Sequence, residues 1–190
     1  MRMLLVAMVA VILGGCAAQQ VPTAPQPGGA IAPLPGRVVW TDGHGAVNLA
    51  AAGAANCPAT ARGDAAAALS ATNAVRAQHG LAPLRTNPVL QRVAELHACD
   101  MAARGAMTHE GSTTKGPMAR AKQQGYRPRL IAENIAAGRF GLDRTLAEWS
   151  ASPGHRANIL IGQVSEFGIG HALASDGKTV FWASVYAAPR

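Results

Sequence analysis

The chain is poor in aromatics, in lysine and in acidic residues, and each shortage excludes something. Aromatics are 4% of 190 residues. The 17 basic residues include only Lys115, Lys122 and Lys178 as lysines. They stand singly along the chain, without a run and without interleaved aromatics, which argues against a nucleic-acid interface. The formal net charge is +7, read as a solvated, mildly cationic surface suited to anionic envelope polymers. There are three cysteines and no C-x-x-C pair, so a structural zinc knuckle is excluded. His109-Glu110 does not continue to H-E-x-x-H, because Thr113 holds the last position. Ser112-Thr113-Thr114-Lys115 has the S-x-x-K form, but Gly116-Pro117 follows where a long helix is required. Gly168-Ile169-Gly170 lies in a strand with no helix after it, so it is no dinucleotide loop. No long hydrophobic run is present: the apolar stretch Leu4 to Leu13 has ten residues, against ~20 needed to cross a bilayer.

What is there begins with an address. Met1-Arg2, the apolar run, and Leu13-Gly14-Gly15-Cys16 resemble a bacterial lipoprotein leader, with cleavage after residue 15 and lipidation of Cys16. An ordinary secretory signal cut near Ala17-Ala18 is the alternative. Either reading places the protein outside the cytoplasm. Ala17 after the cysteine points to the outer membrane in a Gram-negative cell. Residues 16–36 carry the lipidated cysteine and an uncharged Pro/Gly/Gln/Ala-rich tether. Residues 37–63 form an irregular N-terminal segment, in which Val38 to Leu49 reads as a small hairpin turning at Asp42-Gly43. With Cys16 acylated, Cys57 and Cys99 are left as an even pair in an oxidising compartment, expected to form a disulfide; two unpaired thiols are the alternative.

Residues 64–190 read as helices first and strands last. Asp64 is the expected N-cap of a helix through His79, closed by Gly80. Asn87-Pro88 combines a cap with proline at the first helical position, and Gly105 ends that helix. Its apolar face includes His97, read as a hydrogen-bonded core histidine. Short helices are expected at 117–124, 143–151 and from Ser152-Pro153 to before Gly162. Ile131 to Ala136 reads as a strand, and residues 167–173 and 179–186 as a hairpin around Ser175-Asp176-Gly177. The class is α+β. Trp149 and Trp182 are expected in the core, and Trp40 is unassigned.

The side chains able to carry chemistry are few. His109 follows a helix end, Glu133 sits inside an apolar strand, and His155 lies in the first turn of a helix. A carboxylate in such a strand must find a partner or stay protonated. Two imidazoles and a carboxylate meeting in one cleft suit a divalent metal, most simply Zn²⁺ with water completing the tetrahedron. The same groups suit acid/base pairs. The plainer alternatives are a carboxylate that accepts backbone N–H bonds and a neutral imidazole at a helix N-terminus. Arg156 either pairs with Glu166 or binds an anion.

Five ordered stretches carry a resemblance: Asn73-Ala74-Val75-Arg76 with Gly80 to Leu84, His97 to Ala102, Met107 to Gly111, Ala132-Glu133-Asn134-Ile135-Ala136, and Glu148-Trp149 with Ser152 to Leu160. Together they resemble the CAP superfamily (cysteine-rich secretory proteins, antigen 5, pathogenesis-related 1) in its bacterial SCP-like branch, over about residues 65–188. The resemblance implies a three-layer α-β-α sandwich with a central antiparallel sheet. It implies a cleft with His109, Glu133 and His155 as the metal set, and Asn134, Ser152 and Arg156 as support. In animal and plant members a second glutamate lies three residues after the Trp; here that position is Ser152, and Glu148 on the helix points away from it. The reading that follows is a lipid-anchored binding module for a lipid, peptide or cell-wall ligand. A metal-dependent hydrolase with Glu133 as base and an adhesion protein with a vestigial cleft are the alternatives.

Overall fold

The computed structural model describes residues 37–39 and 45–190. The leader, Cys16, the tether and Trp40 lie outside the described residues. Residues 37–39 form β1 (Arg37–Val39), followed by β2 (Val47–Asn48), α1 (Arg62–Gln78), β3 (Arg85–Thr86), α2 (Pro88–Arg104), β4 (Ala106–Met107) and α3 (Pro117–Gln123). Then come β5 (Pro128–Gly138), α4 (Leu142–Ala151), α5 (Pro153–Ile159), β6 (Glu166–Leu173) and β7 (Val180–Pro189).

The main sheet has the order β1-β5-β7-β6-β3. Its centre, β5-β7-β6, is antiparallel, but β1 pairs parallel with β5 and β3 parallel with β6. The sheet is therefore mixed at its edges rather than wholly antiparallel. β1 and β2 do not pair with each other: β1 enters the main sheet, and β2 pairs with β4 in a separate ribbon, while the expected turn at Asp42-Gly43 lies outside the described residues.

Strand alternation sorts the core into two faces. Ile131, Ile135, Ala183 and Val185 face α2 and α3, with Leu90, Val93, Ala98 and Met101. Ala132, Trp182, Tyr186, Phe167 and Ile169 face the other layer, with Ala68, Trp149 and Ile159 of α1, α4 and α5. Trp149 and Trp182 are both buried, and their indole N–H groups donate to Ile135 O (3.1 Å) and Phe140 O (3.3 Å). The helices thus form layers on both sides of the sheet, which is the expected α+β sandwich.

The helix ends follow local chemistry. The Asn87 side chain accepts from the N–H groups of Val89 (2.9 Å) and Leu90 (3.2 Å), with Pro88 at the first turn. Gly105 closes α2 at φ 65°, and a Cβ there would also collide with the Ala50 carbonyl. The cap of α1 is Ala61, not Asp64; the Ala65 N–H already bonds Ala61 O, leaving Asp64 in the first turn facing the helix dipole. Ser152 both ends α4 and begins α5, without a side-chain cap bond.

Gly168 and Gly170 let α2 lie directly on β6, since a Cβ at either would run into the backbone of Leu90–Gln91 or Ala94–Glu95. This close approach, not a nucleotide, explains Gly168-Ile169-Gly170. Gly170→Ala is expected to cost about 2 kcal/mol by overpacking, read as a lower urea midpoint with an unchanged m-value.

Part of the segment before α1 is folded into this domain. Asn56 forms a bridge to Leu173, Thr60 N–H donates to Glu95 Oε1 (2.9 Å), and Thr60 Oγ1 donates to Ile169 O (3.2 Å). These contacts cover the edge of β6 beyond β3. Cys57 and Cys99 are joined, with Cα atoms 5.3 Å apart, stapling this segment to α2.

Candidate functional site

The site is built on the middle of β5. Glu133 lies between Ile131 and Ile135, so the pleat sends its carboxylate toward α2 and α3. It is 1% exposed. Arg120 of α3 reaches both oxygens through Nη2, at 2.8 Å to Oε1 and 2.6 Å to Oε2. His109 Nδ1 donates to Oε1 at 2.9 Å, and His97 Nε2 of α2 lies 3.5 Å from the same oxygen. Arg120 Nη1 also donates to His109 O at 3.0 Å. One guanidinium therefore holds both the carboxylate and the backbone of the histidine.

The charges follow from this packing. Burial alone pushes the Glu133 carboxyl up, but the Arg120 charge, His97 and the His109 hydrogen bond overturn it and hold the group at about 2. Burial pushes His97 down to about 4 against the pull of Glu133, so its imidazole is neutral at neutral pH. The cluster is an anion matched by an arginine, beside a dry histidine. His97 is in the core as expected, but it is not the hydrogen-bonded histidine expected there: neither ring nitrogen has a hydrogen-bond partner.

The backbone of His155 is held on the other side of the strand. Asn134, the next residue on β5, points to the opposite face, is fully buried, and donates to His155 O (3.1 Å) and Tyr186 Oη (3.3 Å). Asn158 Nδ2 donates to Asn134 Oδ1 (2.8 Å) and Glu133 O (3.1 Å), fixing α5 to the strand. Asn134 is thus the residue that seats the helix of His155.

Of the expected metal set, the structure brings His109 against Glu133, while His155 is tied to β5 through its backbone oxygen. Among the described residues no group of three or more His, Cys, Asp or Glu stands where it could hold a metal ion. Arg120 already bonds both oxygens of Glu133, and Asn134, on the opposite face of β5, holds the backbone oxygen of His155. Glu133 is thus engaged by a cation on both oxygens, the lone pairs a metal would need. Arg156 is exposed and does not pair with Glu166. Glu166 instead accepts from Arg85 (2.6 Å), Asn87 (3.0 Å) and Tyr126 (2.6 Å). Ser152 joins α4 to α5 through its backbone, accepting from Arg156 N–H at 2.9 Å.

Beside the cluster lies a cavity of about 200 Å³ between α2, the 111–114 loop and α3. Its wall includes Arg120, Asp100, Ser112, Thr113, Gln123 and Gln124 over Val93 and Leu96. Asp100 accepts from Ser112 N–H (3.1 Å) and from Arg104 (2.8 Å), which pins the loop that follows His109. Although burial raises the Asp100 carboxyl, the Ser112 and Arg104 contacts outweigh it, and the group is held low and anionic. Hydroxyls, amides and one matched carboxylate are suited to hydrogen-bonding a polar ligand rather than to attacking one.

Residues 69–186 match the cysteine-rich secretory protein family, known as CAP. The chain belongs to that family. The CAP match spans all the residues of the buried cluster, Asn134 and His155. A Bacillus subtilis protein, YkwD, is 32% identical over 100 residues, which are 53% of this chain and 39% of that one. The chain therefore spans about two fifths of the length of that relative. An outer surface protein of Borrelia burgdorferi has the same fold at 21% identity and a TM-score of 0.60, over 68% of this chain and 95% of that one. An extracellular SCP-domain protein of Bacillus anthracis aligns at 27% identity and a TM-score of 0.59, over 66% and 40%.

Two arginines of the CAP domain were not singled out as functional from the sequence. Arg120 lies on the buried stripe of α3 with Pro117 and Ala121, at three- and four-residue spacing, and that position was the available signal. Arg76 continues the buried stripe Ala68, Thr72 of α1. It is fully buried and donates to Ala82 O (2.9 Å), Ile159 O (2.7 Å), Ile161 O (2.9 Å) and Val164 O (3.4 Å). Asn73 joins in, bonding Leu84 O (3.0 Å) and Leu84 N–H (2.8 Å). The Asn73-to-Leu84 stretch therefore locks α1 to the loop that follows α5.

Proposed function

We propose that the mature chain is an extracytoplasmic lipoprotein, anchored through acylated Cys16, whose CAP domain is a binding module for a polar cell-wall ligand and not a metal-dependent hydrolase. The observation that carries the reading is the neutralised carboxylate. Glu133 is 1% exposed, is held at about 2, and is bound through both oxygens by Arg120. A general base works near its operating pH and within reach of the proton it takes. Glu133 meets neither requirement. Its role is to fix Arg120 of α3, which lines the adjoining cavity, and to hold His109 ahead of the 111–114 loop. The hydroxyl and amide lining of that cavity favours a glycan or peptide segment of the cell wall. The location is supported by relatives described as outer surface and extracellular proteins. Among the described residues no helix is long and apolar enough to cross a membrane.

Co-sedimentation with purified peptidoglycan sacculi tests the module. Wild type is expected to pellet with the sacculi, and Gln123→Ala/Gln124→Ala to lose most of that binding. Wild type that stays in the supernatant refutes the ligand class. Zinc-dependent cleavage of fluorogenic casein that disappears in Glu133→Gln would restore the hydrolase. Mass spectrometry of the membrane fraction is expected to find a diacylated or triacylated Cys16, and Cys16→Ser to release the protein.

A further inference from the structure

A second cavity, of about 380 Å³, opens where α3 ends and β5 begins, walled by Lys122, Gly125, Tyr126, Arg127, Pro128 and Arg190. Lys122, Arg127 and Arg190 are exposed, while Tyr126 and Pro128 are buried beneath them. No acidic side chain lines it. The Arg190 N–H donates to Arg127 O at 3.1 Å, which fixes the spacing of two of the cationic residues. Behind the floor, the Tyr126 hydroxyl donates to Glu166 at 2.6 Å. Burial, then Glu166, push that hydroxyl well above its ordinary range, so the floor stays neutral. Glu166 is 5% exposed and is matched by Arg85 at 2.6 Å, so its charge is spent inward. The cavity thus presents three cations over a rigid, uncharged base.

Its place on the sheet indicates what it meets. β1 runs parallel to β5, with Arg37 beside Leu130. The chain therefore enters the sheet at the end where Pro128 starts β5, beside the wall of this cavity. We infer that the cavity seats the phosphate of an anionic phospholipid headgroup, on the membrane that holds the lipid-anchored chain. The choice of a membrane rests on the tether proposed above, whereas the affinity for an anionic bilayer needs no acyl chain. Phosphate accepts charge-assisted bonds from arginine in paired geometry and from lysine as a point charge. Each basic side chain at an anionic surface strengthens partition about fivefold.

The test uses the mature chain, residues 16–190, carrying Cys16→Ser, sedimented with vesicles of phosphatidylglycerol and phosphatidylcholine and with phosphatidylcholine alone. Binding is expected only to the anionic vesicles. Lys122→Ala/Arg127→Ala is expected to weaken it about 25-fold, the product of two such contacts. Arg139→Ala/Lys178→Ala serves as the charge-matched control. It lies at the opposite end of the sheet, where Gly138 pairs Val180, and is expected to change binding less than about threefold, a fraction of one basic contact at the surface. Equal losses in both pairs would reduce the effect to net charge and overturn the site, as would unchanged binding in the cavity pair. Soluble glycerol phosphate perturbing the cavity amides, with no vesicle binding, would assign the site to a free phosphate ester and overturn the lipid reading. Membrane retention of the chain with Cys16 intact is scored separately, so failure of the tether and failure of the cavity are distinguishable.

Discussion

Arg120→Met is expected to lower the unfolding free energy by about 3–5 kcal/mol, the usual cost of leaving one member of a buried ion pair behind. Arg120 Nη2 sits 2.6 Å from Glu133 Oε2, and both side chains are almost wholly buried. Without the guanidinium, Glu133 has two histidines and no permanent cation, and burial then raises its carboxyl. The double variant Arg120→Met/Glu133→Gln is expected to recover much of the loss, because no unpaired charge remains inside. Urea unfolding of the two variants decides it: a single-variant loss below about 1 kcal/mol, the range of an exposed pair, would refute the buried-pair account.

The same cluster gives a pH dependence with a definite sign. The Glu133 carboxyl is at about 2 in the folded chain, against about 4.3 unfolded. Its contribution is complete above the unfolded value and is lost as pH falls toward 2. His97 is at about 4 when folded, against about 6.5 unfolded. The unfolded chain therefore takes up a proton below about pH 6.5 that the folded chain refuses, and stability falls from there to about pH 4. Wild type should lose stability in two overlapping stages on acidification. His97→Gln is expected to remove the upper one, read from urea midpoints across pH at constant ionic strength.

Removing the disulfide is expected to cost about 4 kcal/mol in the chain-entropy account of a link across this separation. The linked residues are 42 apart in sequence. Cys57→Ser/Cys99→Ser should keep the fold, because Asn56, Thr60 and their partners on β6 and α2 remain. Segment 50–61 should then open before the rest, seen as faster amide exchange there and early proteolytic cleavage. Cys57 is exposed, so a reductant acting on the folded protein should reproduce the double variant. Unchanged exchange in that segment would show that the staple adds nothing to its local hydrogen bonds.

Much of this protein is legible locally, and the reasons are local. Asn87-Pro88 and Gly105 bound α2 because a cap, a fixed φ and a left-handed residue act within a few positions. Asp176 and Gly177 shape the β6–β7 turn in the same way, with Asp176 accepting from Thr179 N–H at 2.9 Å and Gly177 at φ 64°. The parity of Cys57 and Cys99 indicated their link without any knowledge of geometry. By contrast, β1 and β2 are too short to declare their partners. A supposed hairpin became two pairings with strands far along the chain.

Both ends of α2, the closing hairpin, the α+β class and the family motifs could be read from neighbours or simple periodicity, whereas the start of α1 could not. Tertiary structure alone decided that Glu133 belongs to Arg120 and that His155 is seated through Asn134 on the opposite face. The alternation of β5 assigns adjacent residues to different layers, and which layer brings a cation is settled only when helices distant in sequence pack against the sheet. A carboxylate in an apolar strand announces that it needs a partner, but the low-dielectric contact that satisfies it exists only in the folded core.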